Sequence, residues 1–206
     1  MKKDRLKIGV LASGRGSNLQ AIIDASENGK INADVVVVIS DVPDAYALER
    51  AKKHGIPNFH IAPKGFNNKK EYEDAIVRKL KEHGVRLVLL AGYMRVVTGV
   101  LINAFGGNVM NIHPALLPSF KGLHAQRQAL EYGVRFSGCT VHFVTEDVDG
   151  GPVITQAVVP VHDNDTEETI SARILEKEHI IYSEAVQLFA EGRLKRVGKR
   201  VVIERG

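Results

Sequence analysis

Lys7-Ile-Gly-Val-Leu-Ala-Ser-Gly-Arg-Gly-Ser-Asn-Leu-Gln-Ala-Ile-Ile23 is the stretch whose reading decides the fold class. The apolar run Lys7 to Ala12 meets a glycine-rich turn, Ser13-Gly-Arg-Gly-Ser17, after which Asn18 to Ser26 carries Leu19, Ile22 and Ile23 at helical spacing. The order is strand, loop, helix. The unit recurs: Asp34 to Ser40 is a strand of β-branched residues, Ala45 to His54 a helix closed by Gly55, and Asn58 to Ile61 an extended piece after Pro57. Lys69 to His83 is a third helix, with Tyr72, Ile76, Val77 and Leu80 on one face, and it feeds the apolar strand Leu87 to Ala91. Such alternation predicts a parallel sheet covered by crossover helices.

Beyond this the texture changes. Val109 to His113 is a brief strand end, and Pro114 and Pro118 impose a loop after it. Ser137 to Val144 and Val153 to Val159 read as an antiparallel pair joined by the bent connection Thr145 to Pro152. Acids at Asp165 to Glu168 open a long amphipathic helix through Ile170, Ile174, Ile181, Ala185, Leu188 and Phe189 to Gly192, and Leu194 to Glu204 reads as an added hairpin. With neither repeat nor linker, residues 1–206 are expected to form one domain. The class is three-layer α/β: a mostly parallel central sheet, a Rossmann-like N-terminal half and an antiparallel strand pair in the C-terminal half.

Composition narrows the function classes. Hydrophobic residues at 44% and charged ones at 25% argue against a disordered chain, a collagenous repeat or a disulfide-stapled miniprotein. The 28 Lys+Arg against 24 Asp+Glu leave a formal +4, but the excess sits at the ends, in Lys2, Lys3, Arg5 and Lys7 and again from Arg193 to Arg205. Solvated termini explain it better than a nucleic-acid surface. The one cysteine, Cys139, has no internal partner and reads as a small buried hydrophobe; without a secretory leader pattern, the cytoplasm is the expected compartment. Apolar runs such as Val35 to Ile39 fall far short of the roughly 20 residues of a membrane span. Closely spaced Cys and His pairs, HExxH and G-x-S-x-G are all missing, so neither a tightly held transition metal nor the usual hydrolase nucleophile is implied.

Three segments could carry chemistry. Ser13 to Asn18 offers inward backbone N–H groups and a helix N-terminus to an anion. It lacks the P-loop lysine, and Leu19 stands where a dinucleotide fingerprint needs its third glycine, so a phosphomonoester fits best. Asn111 and His113 lie two apart at a strand end, hence on one face and beyond the sheet's carboxyl edge where ligands collect. Asp149, ahead of Gly150 and Gly151, reads on its own as turn chemistry. Tyr93, Met94, Val96 and Val97 either line an apolar pocket or, the stronger reading, pack in the core. His54, His60, His83 and His179 show no polar partner in register.

Taken in order, Ser13 to Gln20, Leu90-Ala-Gly-Tyr-Met-Arg95, Asn111-Ile-His-Pro-Ala-Leu-Leu-Pro118, Gly122-Leu-His-Ala125 and Val141 to Ile154 resemble the phosphoribosylglycinamide formyltransferase family, over about Lys7 to Gly192. The resemblance implies transfer of a formyl group from the cosubstrate 10-formyltetrahydrofolate to the amine of glycinamide ribonucleotide in purine synthesis, without a metal. It places catalysis on Asn111, His113 and Asp149, the ribonucleotide phosphate on Gly16, Ser17 and Asn18, and the substrate's amine end near Glu178. Folate contacts fall on Lys69, Met94, Arg95, Val96, Val97 and Asn111. It divides the chain into a phosphate-binding half (1–100), a catalytic and folate half (101–192) and a basic tail (193–206). Partners are then small molecules, with no nucleic acid or membrane, and the chain a monomer or homodimer. Asp149 is expected to keep His113 charged, so that His113 and Asn111 donate to an oxyanion. Arg15 and Lys121 depart from the family's frequent asparagine and proline. The rivals are a methionyl-tRNA formyltransferase-like enzyme, which would need a nucleic-acid-binding domain; a formyltetrahydrofolate hydrolase, which would need a domain before the first strand; and a non-catalytic dinucleotide-binding module reading through Gly14, Gly16 and Asp41.

Overall fold

The computed structural model describes residues 5–205. Strands β1 (Leu6–Ala12), β2 (Ala33–Ser40), β3 (Asn58–His60), β4 (Leu87–Leu90) and β5 (Val109–His113) pair in parallel. β6 (Phe136–Phe143) is antiparallel to β5, and β7 (Val153–Pro160) antiparallel to β6, giving one sheet in the order β3-β2-β1-β4-β5-β6-β7. This matches the three-layer class expected.

Side-chain alternation builds the layers. Ile8, Val10 and Ala12 of β1, with Leu87 and Leu89 of β4, face a cluster that includes Leu19, Ile22 and Ile23 of α1 (Ser17–Glu27), Ala47 and Ala51 of α2 (Tyr46–Lys53) and Ile174 and Ile181 of the long C-terminal helix, Glu167–Ala190. Leu11, Val88 and Leu90 face the opposite side, against Tyr72, Ile76 and Leu80 of α3 (Lys69–Glu82) and Leu101 of α4 (Gly99–Ala104). Burial of such side chains is worth roughly 1.5–3 kcal/mol each, so the strands covered on both faces hold the sheet. Helix starts are set by caps: the Asn68 side chain accepts from the Glu71 N–H, and Thr166 and Thr169 form a reciprocal box. The fully buried Tyr182 hydroxyl lies 3.1 Å from the carbonyls of both Leu90 and Met110, pinning the C-terminal helix beneath the strand ends that matter below.

Two helices escaped the sequence reading: α4, whose 6 residues are too short to show periodicity, and α5 (Ala125–Tyr132), whose buried residues are only Ala125 and Ala129 and make no apolar stripe. The C-terminal helix is thus α6. The tail forms the expected hairpin, β8 (Leu194–Val197) and β9 (Arg200–Ile203), apart from the main sheet. Its charge is not all solvated, because the Arg196 guanidinium stacks 4.0 Å from the Phe143 ring centroid. Arg5 is likewise bound to Asp34 and Ser26, whereas Lys2 and Lys3 lie outside the described residues. Among the described residues no helix is long and apolar enough to cross a membrane.

The strand order fixes where a ligand can sit. The chain moves from β1 to β2 on one side, then returns to β4 and β5 on the other, so the loops leaving β1 and β4 part and open a crevice at their carboxyl ends.

Candidate active site

The loop leaving β1 enters α1 through Gly16, at φ 67°. A Cβ there would sit 2.8 Å from Ala47 Cα, so both the left-handed backbone and the approach of α2 require glycine. No side chain caps α1, which leaves the N–H groups of its first turn to an external acceptor. Asn18 is buried beside them, with its amide nitrogen 2.8 Å from Glu178 Oε2 and its amide oxygen without a hydrogen-bond partner. Burial raises the Glu178 carboxyl, and the Asn18 hydrogen bond offsets only part of that rise. A buried carboxylate and an orphaned carbonyl oxygen beside open N–H groups suit a ligand carrying both an anion and hydroxyl or amino donors.

The second half of the site stands at the end of β5. His113 Nε2 donates to the Phe120 carbonyl at 2.8 Å, and Nδ1 lies 3.3 Å from Asp149 Oδ2. Asp149 reaches this point from the β6–β7 connection with φ 50°, and its Oδ2 also accepts from the Gly122 N–H at 2.8 Å. His142 was missed by the sequence reading. Register places it directly opposite Asn111, with Nε2 3.2 Å from the Asn111 amide nitrogen and 3.6 Å from Asp149 Oδ1. Its Nδ1 donates to the Phe143 carbonyl, so in the neutral ring Nε2 accepts from Asn111, and 3.6 Å makes Asp149 an electrostatic neighbour rather than a hydrogen-bond partner. The second Asn111 amide hydrogen remains for a ligand.

Burial raises the Asp149 carboxyl, but His142, the Gly122 N–H and His113 together outweigh it and leave it below the usual carboxylate value. For His113 the balance goes the other way. Burial lowers it, the Asp149 charge and the Phe120 carbonyl oppose that only in part, and the ring sits below the ordinary histidine value. Burial thus works against the charge that Asp149 favours, while both ring nitrogens face acceptors, Nε2 the Phe120 carbonyl and Nδ1 the Asp149 carboxylate.

The third part is the loop after β4. Gly92, Met94, Arg95, Val96 and Val97 line a cavity of about 330 Å³ together with Asn111, His113, His142 and Asp149. A neighbouring cavity of about 570 Å³ continues past Met94 to Lys69, Tyr72 and Phe66. The preference for core packing fails for Met94 and Val96, which are 64% and 53% exposed, and holds for Val97, which is buried. Exposed apolar side chains around a cavity of that size fit a flat ligand with an acidic end near Lys69. Residues from both parts of the chain meet here, since Glu178 bonds Asn18 and Met94 to Val97 share a cavity with His113. Asp41, the acid a dinucleotide module would turn to a ribose, is bound to Ser13 and Arg95 instead. His54 and His83 do have polar partners, Glu27 and the Lys79 carbonyl. Among the described residues, no group of three or more His, Cys, Asp or Glu side chains is placed to hold a metal ion.

The chain is similar to known proteins in sequence and in fold. The formyl transferase family model matches residues 6–186. The phosphoribosylglycinamide formyltransferase of Escherichia coli is 45% identical over 92% of this chain and 90% of its own length. The human trifunctional purine biosynthetic protein adenosine-3 is 45% identical over 93% of this chain, which spans 19% of that protein. The solved glycinamide ribonucleotide transformylase 1 of Symbiobacterium toebii superposes with a TM-score of 0.97 at 52% identity, covering 99% of this chain and 96% of that one. With a family match across most of its length and a near-full-length relative well above 30% identity, the chain belongs to the formyl transferase family.

Proposed function

We propose that Asn111, His113 and Asp149 carry the transfer of a formyl group from 10-formyltetrahydrofolate to the amine of glycinamide ribonucleotide. The chain is a phosphoribosylglycinamide formyltransferase, a one-carbon transferase of purine synthesis that uses the formylated folate as cosubstrate. The observation that carries the site assignment is the 3.3 Å approach of Asp149 to His113 in the same cavity as Asn111 and the 92–97 loop.

The amine is already a nucleophile, so it attacks the formyl carbon directly and no covalent enzyme intermediate forms. The new N–C bond forms as the carbonyl electrons move onto oxygen, and the bond to the folate nitrogen breaks as that oxyanion collapses. His113 acts as the tautomer whose Nδ1–H donates to Asp149: its Nε2 accepts the proton the amine loses, Asp149 stabilises the imidazolium so formed, and the proton passes to the departing nitrogen. To reach substrate, Nε2 must leave the Phe120 carbonyl. The free Asn111 hydrogen donates to the oxyanion, a contribution typically of about 3–4 kcal/mol. Holding both substrates in attack geometry contributes more, up to about 7–11 kcal/mol.

Gly16, Ser17 and Asn18 bind the ribonucleotide phosphate, Glu178 lies toward its amine end, and Lys69 with Met94, Arg95, Val96 and Val97 binds the folate. We read residues 1–206 as one formyltransferase domain acting on small molecules. Its buried Cys139 thiol, pushed up to about 12 by burial, suits the reducing cytoplasm. The test mixes the protein with both substrates and follows folate absorbance, then repeats the assay with Ser17→Ala/Asn18→Ala. Calorimetry should show that this pair of changes weakens the ribonucleotide more than the folate. An unchanged absorbance, or the reverse ranking, would overturn the assignment.

A further inference from the structure

Asp41 stands just past the end of β2, one strand removed from the crevice, and has no part in the chemistry above. Its side chain is only 5% exposed, and each carboxylate oxygen has a separate partner. Oδ1 accepts from the Ser13 hydroxyl at 2.6 Å, and Oδ2 accepts from Arg95 Nε at 2.6 Å. The Ser13 hydroxyl oxygen accepts in turn from the Met94 N–H at 2.9 Å, and the Ser13 N–H donates to the Gly92 carbonyl at 3.0 Å. One buried charge thus spans the ends of three adjacent strands, β2, β1 and β4.

Ser13 opens the loop that leads to Gly16, Ser17 and Asn18, while Gly92 to Thr98 lies outside any helix or strand. Without those bonds the 92–97 loop would have to be ordered when its ligand arrives, at a cost in affinity. We infer that Asp41 is a positioning residue that fixes the folate loop through Arg95 and Ser13, and thereby couples it to the ribonucleotide-phosphate loop. The inference rests on the assignment of those two loops to those two ligands. Coupling of this kind is reciprocal, so each ligand strengthens the other by the same factor.

Asp41→Asn separates the two links. Its amide oxygen still accepts from Ser13, but its N–H₂ faces the Arg95 donors, so the guanidinium is released. Ser13→Ala breaks the other arm and carries the test if Asp41→Asn fails to fold. Tetrahydrofolate is titrated by calorimetry with and without saturating glycinamide ribonucleotide. In the unmodified protein the ribonucleotide should tighten tetrahydrofolate at least about fivefold. In both variants that enhancement should fall below about twofold, and in Asp41→Asn the KM for 10-formyltetrahydrofolate should rise about tenfold while kcat stays within about twofold. Enhancement retained in both variants, its absence from the unmodified protein, or a fall in kcat at unchanged KM would overturn the inference. The affinity of Ser17→Ala/Asn18→Ala for the ribonucleotide alone tests the loop assignment separately.

Discussion

Asp149→Asn probes the reaction with little other disturbance. The new amide is nearly the same size, and its oxygen can still accept from the Gly122 N–H, so the loop over the site keeps its anchor. What disappears is one negative charge 3.3 Å from His113 Nδ1. At an effective dielectric of about 20, that separation corresponds to about 5 kcal/mol of attraction once the ring is protonated. The two side chains are 5% and 10% exposed, so little of this is lost to salt or solvent. The amide dipole recovers part of it. A net loss of about 3–4 kcal/mol lowers kcat by about 10² to 10³.

Steady-state rates followed by folate absorbance should show that drop with the ribonucleotide KM changed less than about twofold. A second readout comes from pH. Burial lowers His113 and Asp149 raises it in part, so removing the charge lowers it further, and the acid limb of the kcat profile should move to lower pH. A kcat within threefold of the unmodified enzyme, or an acid limb displaced upward, would refute the pairing.

Three further outcomes follow from the geometry. Gly16→Ala forces a Cβ against Ala47 in a left-handed backbone; it should cost about 1–3 kcal/mol, lower Tm by about 2–4 °C per kcal/mol and weaken ribonucleotide binding, as scanning calorimetry and titration would show. His142→Phe leaves the buried side of the Asn111 amide without its acceptor, a penalty of about 1–3 kcal/mol; kcat should fall about ten- to a hundredfold, less than in Asp149→Asn. Urea unfolding from pH 8 to pH 3 should show stability declining in two stages. His113, lowered in the fold, gives full stability above its unfolded value of about 6.5 and loses it as pH falls toward the folded value; Asp149, also lowered, does the same below about 3.8.

Local signals carried the N-terminal half of the fold. Alternation and helical spacing in residues 7–26 suffice for β1 and α1 because each element buries its own stripe. The shared face of Asn111 and His113 follows from period two, a property of any strand. Asp149 read as a turn residue, and it is one, with φ 50°; its distance from His113 depends on how a connection between β6 and β7 folds back over β5. His142 needed the antiparallel register that sets it against Asn111, 31 residues apart in the chain. Met94 and Val96 look like core residues by composition, and only the parting of the loops after β1 and β4 exposes them. The burial that opposes the charge on His113 was not legible for a related reason: its carboxylate partner is visible as a residue type, whereas burial is a product of the whole packed site.

Strand order also accounts for why one crevice serves two substrates. Neighbouring strands lie about 4.8 Å apart, so β1 and β5, separated by β4, end about 10 Å from one another. That is about the span from the phosphate to the amine of a ribonucleotide carrying a glycinamide arm. On the proposed assignment, a phosphate held after β1 places the nucleophile near Asn111 and His113 at the end of β5, and the intervening loop after β4 is left to carry the formyl donor. Had β4 and β5 been added beyond β3, the phosphate loop and the imidazole would stand several strands apart, and no single ligand of this size could touch both. The reacting geometry is a consequence of the reversal in winding at β1, with Asp41 at the end of β2 bracing the two loops that the reversal separates.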